Sequence, residues 1–368
     1  MSPSLSSQAP SFIPSDGTTP ADTPLATPLG SPRQRASDRK PLPRPEDIKL
    51  ILSDVDGTLF TDHHELHPTT LNAIKYIRQT RPDLPIIPVT GKQRVSCGSL
   101  ISDLDISKFP AGCLHGAIIY DKDGNIEKHS PLDPTFVLGV TELMKAHNKT
   151  TMLYVADWVA MASLEQGGKT DWEAVSRGFD PCVEDCRTTD FLEKVTKGEE
   201  KIGKIFLPMD EEEVPKFLDL LRSTFPTTPF KTTRALPYII EIGESPLLFH
   251  RALACAYLPS ITVREDVDKS VALAYFCEKF GVKPENVLTF GDGENDVGMF
   301  KAAGYAVSMG NAMAAPREAA DYATATNNEG GVGQFLDRVF RPSGPDAQRP
   351  VDGLKTLDGQ AAPVQIVA

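Results

Sequence analysis

Two aspartates two residues apart stand in the run Asp54-Val55-Asp56-Gly57-Thr58-Leu59, directly after a short apolar stretch. On a continuing strand, side chains two residues apart project from the same face. A turn after Asp54, helped by Gly57, brings both into one crevice, where one carboxylate can attack while the other manages protons. A second cluster, Gly291-Asp292-Gly293-Glu294-Asn295-Asp296, sets two glycines around an aspartate. The backbone can then turn tightly, and Asp292 and Asp296 offer hard oxygen ligands. Such ligands suit Mg²⁺, which takes one or two carboxylates besides water and substrate phosphate. Thr90-Gly91-Lys92 adds a hydroxyl beside backbone N–H groups freed by a glycine, a small nest for an anion. Lys269, after Asp266-Val267-Asp268, supplies a cation at the start of a helix.

The elements that must position these groups are legible in the hydrophobic pattern. Lys49 to Ser53 and Leu84 to Val89 read as buried strands, the second ending at Thr90-Gly91. Between them, Leu71, Ile74 and Ile77 recur at helical spacing over 68–79, with Pro68 suited to the first turn. Gly116 to Tyr120 is a further strand, with a turn at Asp123-Gly124-Asn125. Later come a helix over 269–280, a strand over 287–290 ending at Gly291, a helix over 297–303 and a strand over 305–308. This alternation predicts an α/β fold with a mostly parallel sheet. The aspartate clusters and Thr90-Gly91 fall at the carboxyl ends of its strands, where such sheets bind ligands. The middle has a different grain: helices over 136–146 and 211–225, and strands over 151–155, 204–207 and 238–242, form an α+β insertion. The expected division is a disordered Pro/Ser-rich tail over 1–45, which holds ten of the 31 prolines, then core over 46–130, insertion over 131–250, core over 251–340 and a loose end over 341–368.

Taken together, these residues resemble the haloacid dehalogenase-like (HAD) hydrolase superfamily, and within it the Cof-type phosphatases of subfamily IIB. Asp54-Val55-Asp56-Gly57-Thr58 is similar to that family's first motif, Val89-Thr90-Gly91 to its second, Lys269 to its third and Gly291 to Asp296 to its fourth, in order over roughly 47–340. The resemblance implies a HAD-like Rossmannoid core with an inserted α+β cap. It implies that Asp54 attacks phosphorus to form an aspartyl-phosphate, and that Asp56 protonates the leaving group and then activates water. It implies Mg²⁺ on Asp54, the Asp56 backbone carbonyl and Asp292, with Asp296 in direct or water-mediated contact. Thr90, the Gly91 N–H and Lys269 would hold phosphoryl oxygens, while Asn295 would orient Lys269 or touch the phosphate. Lys92 stands where the family usually has Arg, and His115 where it usually has Asn. The stretch from Ile242 to Lys269 is longer than typical.

Composition narrows the partners. The net charge is −12 and the pI is near 5.1, which argues against nucleic acid or anionic membrane as a partner, while the resemblance implies a small-molecule phosphate ester. Six cysteines in 368 residues suggest a reducing, cytoplasmic setting, with Cys182 and Cys186 as unrelated thiols. No apolar run reaches the ~18–20 residues that span a bilayer, and no secretory signal is evident. His63-His64-Glu65-Leu66-His67 lacks metalloprotease spacing and reads as a loop before the helix. Asp121 to Asn125 reads as a hairpin turn, and Trp158 and Trp172 as packing within the cap. The expected function is Mg²⁺-dependent hydrolysis of small phosphate monoesters. The alternatives are a phosphomutase resembling the phosphomannomutases, which uses the same aspartyl-phosphate, and a non-catalytic binding protein on the same fold. The oligomeric state is not legible.

Overall fold

Four consecutive buried residues, Leu50–Ser53, form strand β1, a run without polar alternation as expected where both faces of a sheet are covered. The computed structural model describes residues 40–97, 110–180, 182–228, 230–233, 239–244 and 269–341. The expected tails over 1–45 and 341–368 therefore lie outside the described residues, save for 40–45 and Arg341. Those few N-terminal residues are bonded to the folded body. Lys40 pairs with Asp321 at 2.9 Å, and the Tyr322 hydroxyl donates to the Pro41 carbonyl.

After β1 come helix α1 (Pro68–Thr80) and strand β2 (Ile86–Pro88). The helix starts at Pro68, and His67 Nδ1 accepts from the Thr69 N–H at 3.2 Å. It buries Ala73, Ile74 and Ile77, while Leu71 is only partly covered. Strands β3 (Ala111–Cys113), β4 (Ile118–Tyr120) and β5 (Ile126–His129) make a small antiparallel sheet, with Gly124 at φ 87° in the expected turn between the last two.

The insertion is helix α2 (Pro134–Ala146), strands β6 (Thr151–Tyr154) and β7 (Val159–Ser163), helix α3 (Trp172–Phe179), strand β8 (Val183–Asp185), helix α4 (Phe191–Thr196), strand β9 (Lys204–Pro208), helix α5 (Val214–Thr224), and strands β10 (Phe230–Thr233) and β11 (Ile239–Glu244). Its six strands form one sheet in the order β10-β11-β9-β6-β7-β8. One face packs Leu153, Ile205 and Ile240 under Val137, Val140, Phe217 and Leu221 of α2 and α5. The other sets Met152, Met161 and Phe206 against Cys113, Ile118 and Tyr120 of the small sheet. Trp158 meets Phe191 edge-on at 5.2 Å, and Trp172 is buried with its Nε1–H on Glu165, so both tryptophans pack within the cap.

The chain returns through helix α6 (Ser270–Phe280), strand β12 (Val287–Gly291), helix α7 (Val297–Ala302), strand β13 (Tyr305–Ser308), helix α8 (Ala314–Ala319), strand β14 (Tyr322–Ala323) and helix α9 (Gly331–Phe340). The core sheet is parallel throughout, in the order β14-β13-β12-β1-β2. Successive β1 residues alternate between two hydrophobic layers. Ile51 faces α1 and α9 with Ile74, Ile77 and Phe335, whereas Leu50 and Leu52 face α6 and α7 with Leu273, Phe276 and Met299. The α/β core with an inserted cap is thus the architecture. Among the described residues, no helix is long and apolar enough to cross a membrane.

Candidate active site

Register brings the two aspartate clusters together. Ser53 pairs with Phe290 across β1 and β12, and the Asp54 N–H donates to the Phe290 carbonyl at 3.0 Å, so both strands end side by side. The chain then turns sharply over Val55–Leu59, with Gly57 at φ 70°. A Cβ at Gly57 would lie 2.3 Å from Asp292 Oδ2, so glycine is required both by the backbone angle and by this approach. Gly57→Ala is expected to destabilise the fold by about 1–3 kcal/mol and to displace Asp292, lowering phosphate release together with the melting temperature.

Asp54, Asp292 and Asp296 each offer a carboxylate oxygen, and these oxygens lie within 4.8 Å of one another. Lys269, fully buried at the head of α6, reaches into the same cluster and pairs with Asp54 and, at 2.8 Å, with Asp296. Asp296 Oδ2 accepts the Asp292 and Gly293 N–H groups at 3.0 and 2.9 Å, which holds the turn after β12 in shape. Asp292 accepts from the Thr58 hydroxyl at 3.1 Å and from Asn311 Nδ2 at 3.3 Å. Asn311 also donates to the Gly57 carbonyl at 2.8 Å, tying the two turns together.

The electrostatics follow from burying three carboxylates around one ammonium. Burial, with Asp296 and Asp292 adding repulsion, pushes Asp54 well above the usual carboxylate range against the pull of Lys269. Burial and Asp296 push Asp292 up to about 6. Burial disfavours the charge on Lys269, but Asp296 and Asp54 outweigh it and hold its pKa above the ordinary value. The carboxylates outnumber the one ammonium, so a full set of charges here needs a further cation, and the donors are hard oxygens. This cluster fits a divalent cation such as Mg²⁺.

Asp56 contributes no carboxylate to the cluster. Its side chain, about 40% exposed, pairs with Lys92 Nζ at 2.7 Å, and His64 Nδ1 lies 3.6 Å away. Thr90 is buried, and its hydroxyl accepts from the Lys92 N–H at 3.1 Å, closing the nest around Gly91. Asn295 sets its main-chain carbonyl on the Lys269 N–H at 3.2 Å and its side-chain nitrogen 3.2 Å from His115 Nδ1. The structure therefore brings together Asp54, Asp292, Asp296 and Lys269, with Asp56 and Thr90-Gly91 joined to them through adjacent turns. Sequence reasoning passed over Asn311 and assigned no role to Thr58. Asn311 lies just beyond the end of β13, so the strand-end rule applied to the other clusters would have found it. His63 and His64 are exposed, and His67 is occupied at the start of α1, as a loop reading requires. Cys182 and Cys186 are free thiols.

The sequence pattern of the haloacid dehalogenase-like hydrolases matches residues 51–246 and 261–336, and the chain belongs to that family. The chain is 34% identical over 312 residues to an uncharacterized hydrolase of Schizosaccharomyces pombe, covering 81% of this chain and 93% of the other. It is 28% identical over 290 residues to the 5-amino-6-(5-phospho-D-ribitylamino)uracil phosphatase YcsE of Bacillus subtilis, covering 79% and 95%. A solved HAD subclass IIB sugar phosphatase shares the fold with a TM-score of 0.60 at 18% identity, covering 79% of this chain and 98% of that one.

Proposed function

We propose that the protein hydrolyses small organic phosphate monoesters through an aspartyl-phosphate on Asp54. The observation that carries this reading is the buried Asp54 carboxylate at a strand end, paired with Lys269, with Asp56 two residues on in the same turn. Two of the relatives that share most of its length are named as phosphatases of small phosphorylated metabolites, one acting on a ribitylaminouracil phosphate and one on pyridoxal phosphate.

In the first half-reaction an Asp54 oxygen bonds to phosphorus while the ester oxygen–phosphorus bond breaks, and Asp56 gives its proton to the departing alkoxide. In the second, Asp56 takes a proton from water as the water oxygen attacks phosphorus and Asp54 is released. Lys92 beside Asp56 holds that carboxyl at the mouth of the turn. Lys269 favours the charged form of Asp54, and Thr90 with the Gly91 N–H is suited to hold phosphoryl oxygens, where transition-state charge is spread. Asp54, Asp292 and the Asp56 carbonyl, with Asp296 beside them, would hold Mg²⁺, which when bound shields the nucleophile from its anionic target and binds a phosphoryl oxygen.

A panel of sugar phosphates, nucleotides and cofactor phosphates, assayed for inorganic phosphate with Mg²⁺, tests the reading. Metal-dependent release from one or a few members is expected. Transfer of phosphate to another hydroxyl of a sugar bisphosphate, without release to water, would make the protein a mutase instead.

A further inference from the structure

A chain of polar side chains runs from the core into the cap beside the Thr90-Gly91 nest. Asn295 Nδ2 lies 3.2 Å from His115 Nδ1, and His115 Nε2 lies 3.0 Å from Glu241 Oε2 on β11. Glu241 Oε1 pairs at 2.7 Å with Lys204 on β9, and Lys204 Nζ donates back to the Gly91 carbonyl at 3.0 Å. The side chains of His115, Glu241 and Lys204 are each no more than a tenth exposed. Leu114 and His115 adopt φ of 48° and 58°, and this turn aims the imidazole across Gly91. A Cβ at position 91 would lie 2.4 Å from His115 Cε1, so the ring fits only over glycine.

The partners decide where the proton sits. Burial alone would raise the Glu241 pKa, but the Lys204 charge and the hydrogen bonds from Lys204 and His115 act against it and keep the carboxyl ionised, an acceptor only. His115 Nε2 must therefore carry the hydrogen. Burial lowers the His115 pKa against the pull of Glu241, and the cations Lys204 on β9 and Lys269 at the head of α6 act in the same direction as burial. With Nε2–H on Glu241, Nδ1 faces the Asn295 side-chain nitrogen, a donor, and in the neutral ring that this shift favours Nδ1 is bare and accepts from it. Asn295 Oδ1 is thereby turned toward Gly293, and the Asn295 main chain stays on Lys269.

We propose that His115 is a positioning residue: Glu241 of the cap, through the Nε2–H of His115, fixes the orientation of the Asn295 amide beside Lys269, so that the cap's seating is felt in the catalytic loop. The proposal rests on the phosphatase reading for its kinetic consequence, while its geometry can be read without substrate.

Two measurements on the full chain test it. The first is nitrogen NMR of ¹⁵N-histidine-labelled protein, with His115 assigned from the signals lost in His115→Asn. The expected result is a neutral Nε2–H tautomer in the wild type that gives way to a tautomer mixture in Glu241→Gln. The second is steady-state phosphate release from p-nitrophenyl phosphate, with thermal melting as a check on folding. His115→Asn and Glu241→Gln should each lower kcat/KM about ten-fold, the loss of one hydrogen bond to a charged group, and the double variant should be no worse than the worse single. Asparagine at 115 can still accept from Asn295 but cannot reach Glu241, so a loss there reads the link to the cap and not the local bond. It also leaves the Glu241–Lys204 pair in place, so a Glu241→Gln that fails to fold does not close the question. An Nδ1–H tautomer in the wild type, or single losses that multiply to about a hundred-fold, would overturn the relay. Absence of phosphate release from the wild type would sink the phosphatase reading instead, and the tautomer would still decide the relay.

Discussion

Asp54→Asn is expected to reduce phosphate release to the uncatalysed background and to leave no phosphoryl-enzyme, because a neutral amide cannot attack phosphorus. The variant should nevertheless fold. In the apo protein the environment of Asp54 disfavours its charge, since burial and the neighbouring aspartates push its pKa well above the usual range. An uncharged side chain of the same size removes repulsion from Asp292 and Asp296, so the metal-free melting temperature should hold or rise. Asp56→Asn should also cripple turnover, by about 10²–10⁴, the usual contribution of a positioned proton-transfer group. With a good leaving group that needs little protonation, phosphoryl-enzyme should accumulate in Asp56→Asn and persist. Undiminished steady-state turnover by a well-folded Asp54→Asn would exclude this carboxylate as the nucleophile.

The parts of this site that were legible in the sequence share a physical cause. Residues 50–53 and 287–290 are short apolar runs that stop abruptly at Asp and Gly, and a strand buried on both faces leaves just that trace. The strand ends then located Asp54, Thr90 and Asp292 without knowledge of the register. Contacts that depend on register or on distant pairing left no such trace. Lys269 reads alone as an ordinary lysine at a helix start, and its complete burial follows only from β1 and β12 ending beside α6. Glu241 and His115 are 126 residues apart, on cap and core, and nothing local in either segment announces the pair. Strand β3 is too short, and its Ala-Gly-Cys too weakly β-forming, to stand out from a loop. Asp296 was read mainly as a ligand, yet both of its oxygens are engaged, one by Lys269 and one by the loop N–H groups.

That last contact changes what metal-site substitutions should do. Removal of divalent cations with EDTA is expected to abolish phosphate release, and Mg²⁺ to restore it, because the ionised nucleophile and its neighbouring carboxylates otherwise repel a phosphate dianion. Ca²⁺ should compete for the site yet support little turnover, since its larger, more flexible shell tolerates geometry that spoils in-line attack. Asp292→Ala should fold and should raise the Mg²⁺ needed for activity. Asp296→Ala should instead lower the melting temperature, since it frees two loop N–H groups and leaves Lys269 with one partner. The pH dependence has a definite sign. A carboxyl whose pKa rises on folding contributes stability below its unfolded value, here 3.8, and that contribution is lost as pH climbs through the folded value, about 6 for Asp292. Metal-free protein should therefore lose melting temperature between about pH 4 and 6 through this cluster. Mg²⁺, binding the ionised form, should stabilise the protein more at pH 7 than at pH 4. The measurement is a thermal melt across that range with EDTA or Mg²⁺, beside phosphate release for the wild type and both variants. Full activity in EDTA, with melting indifferent to Mg²⁺ at pH 7, would return these aspartates to a purely structural role.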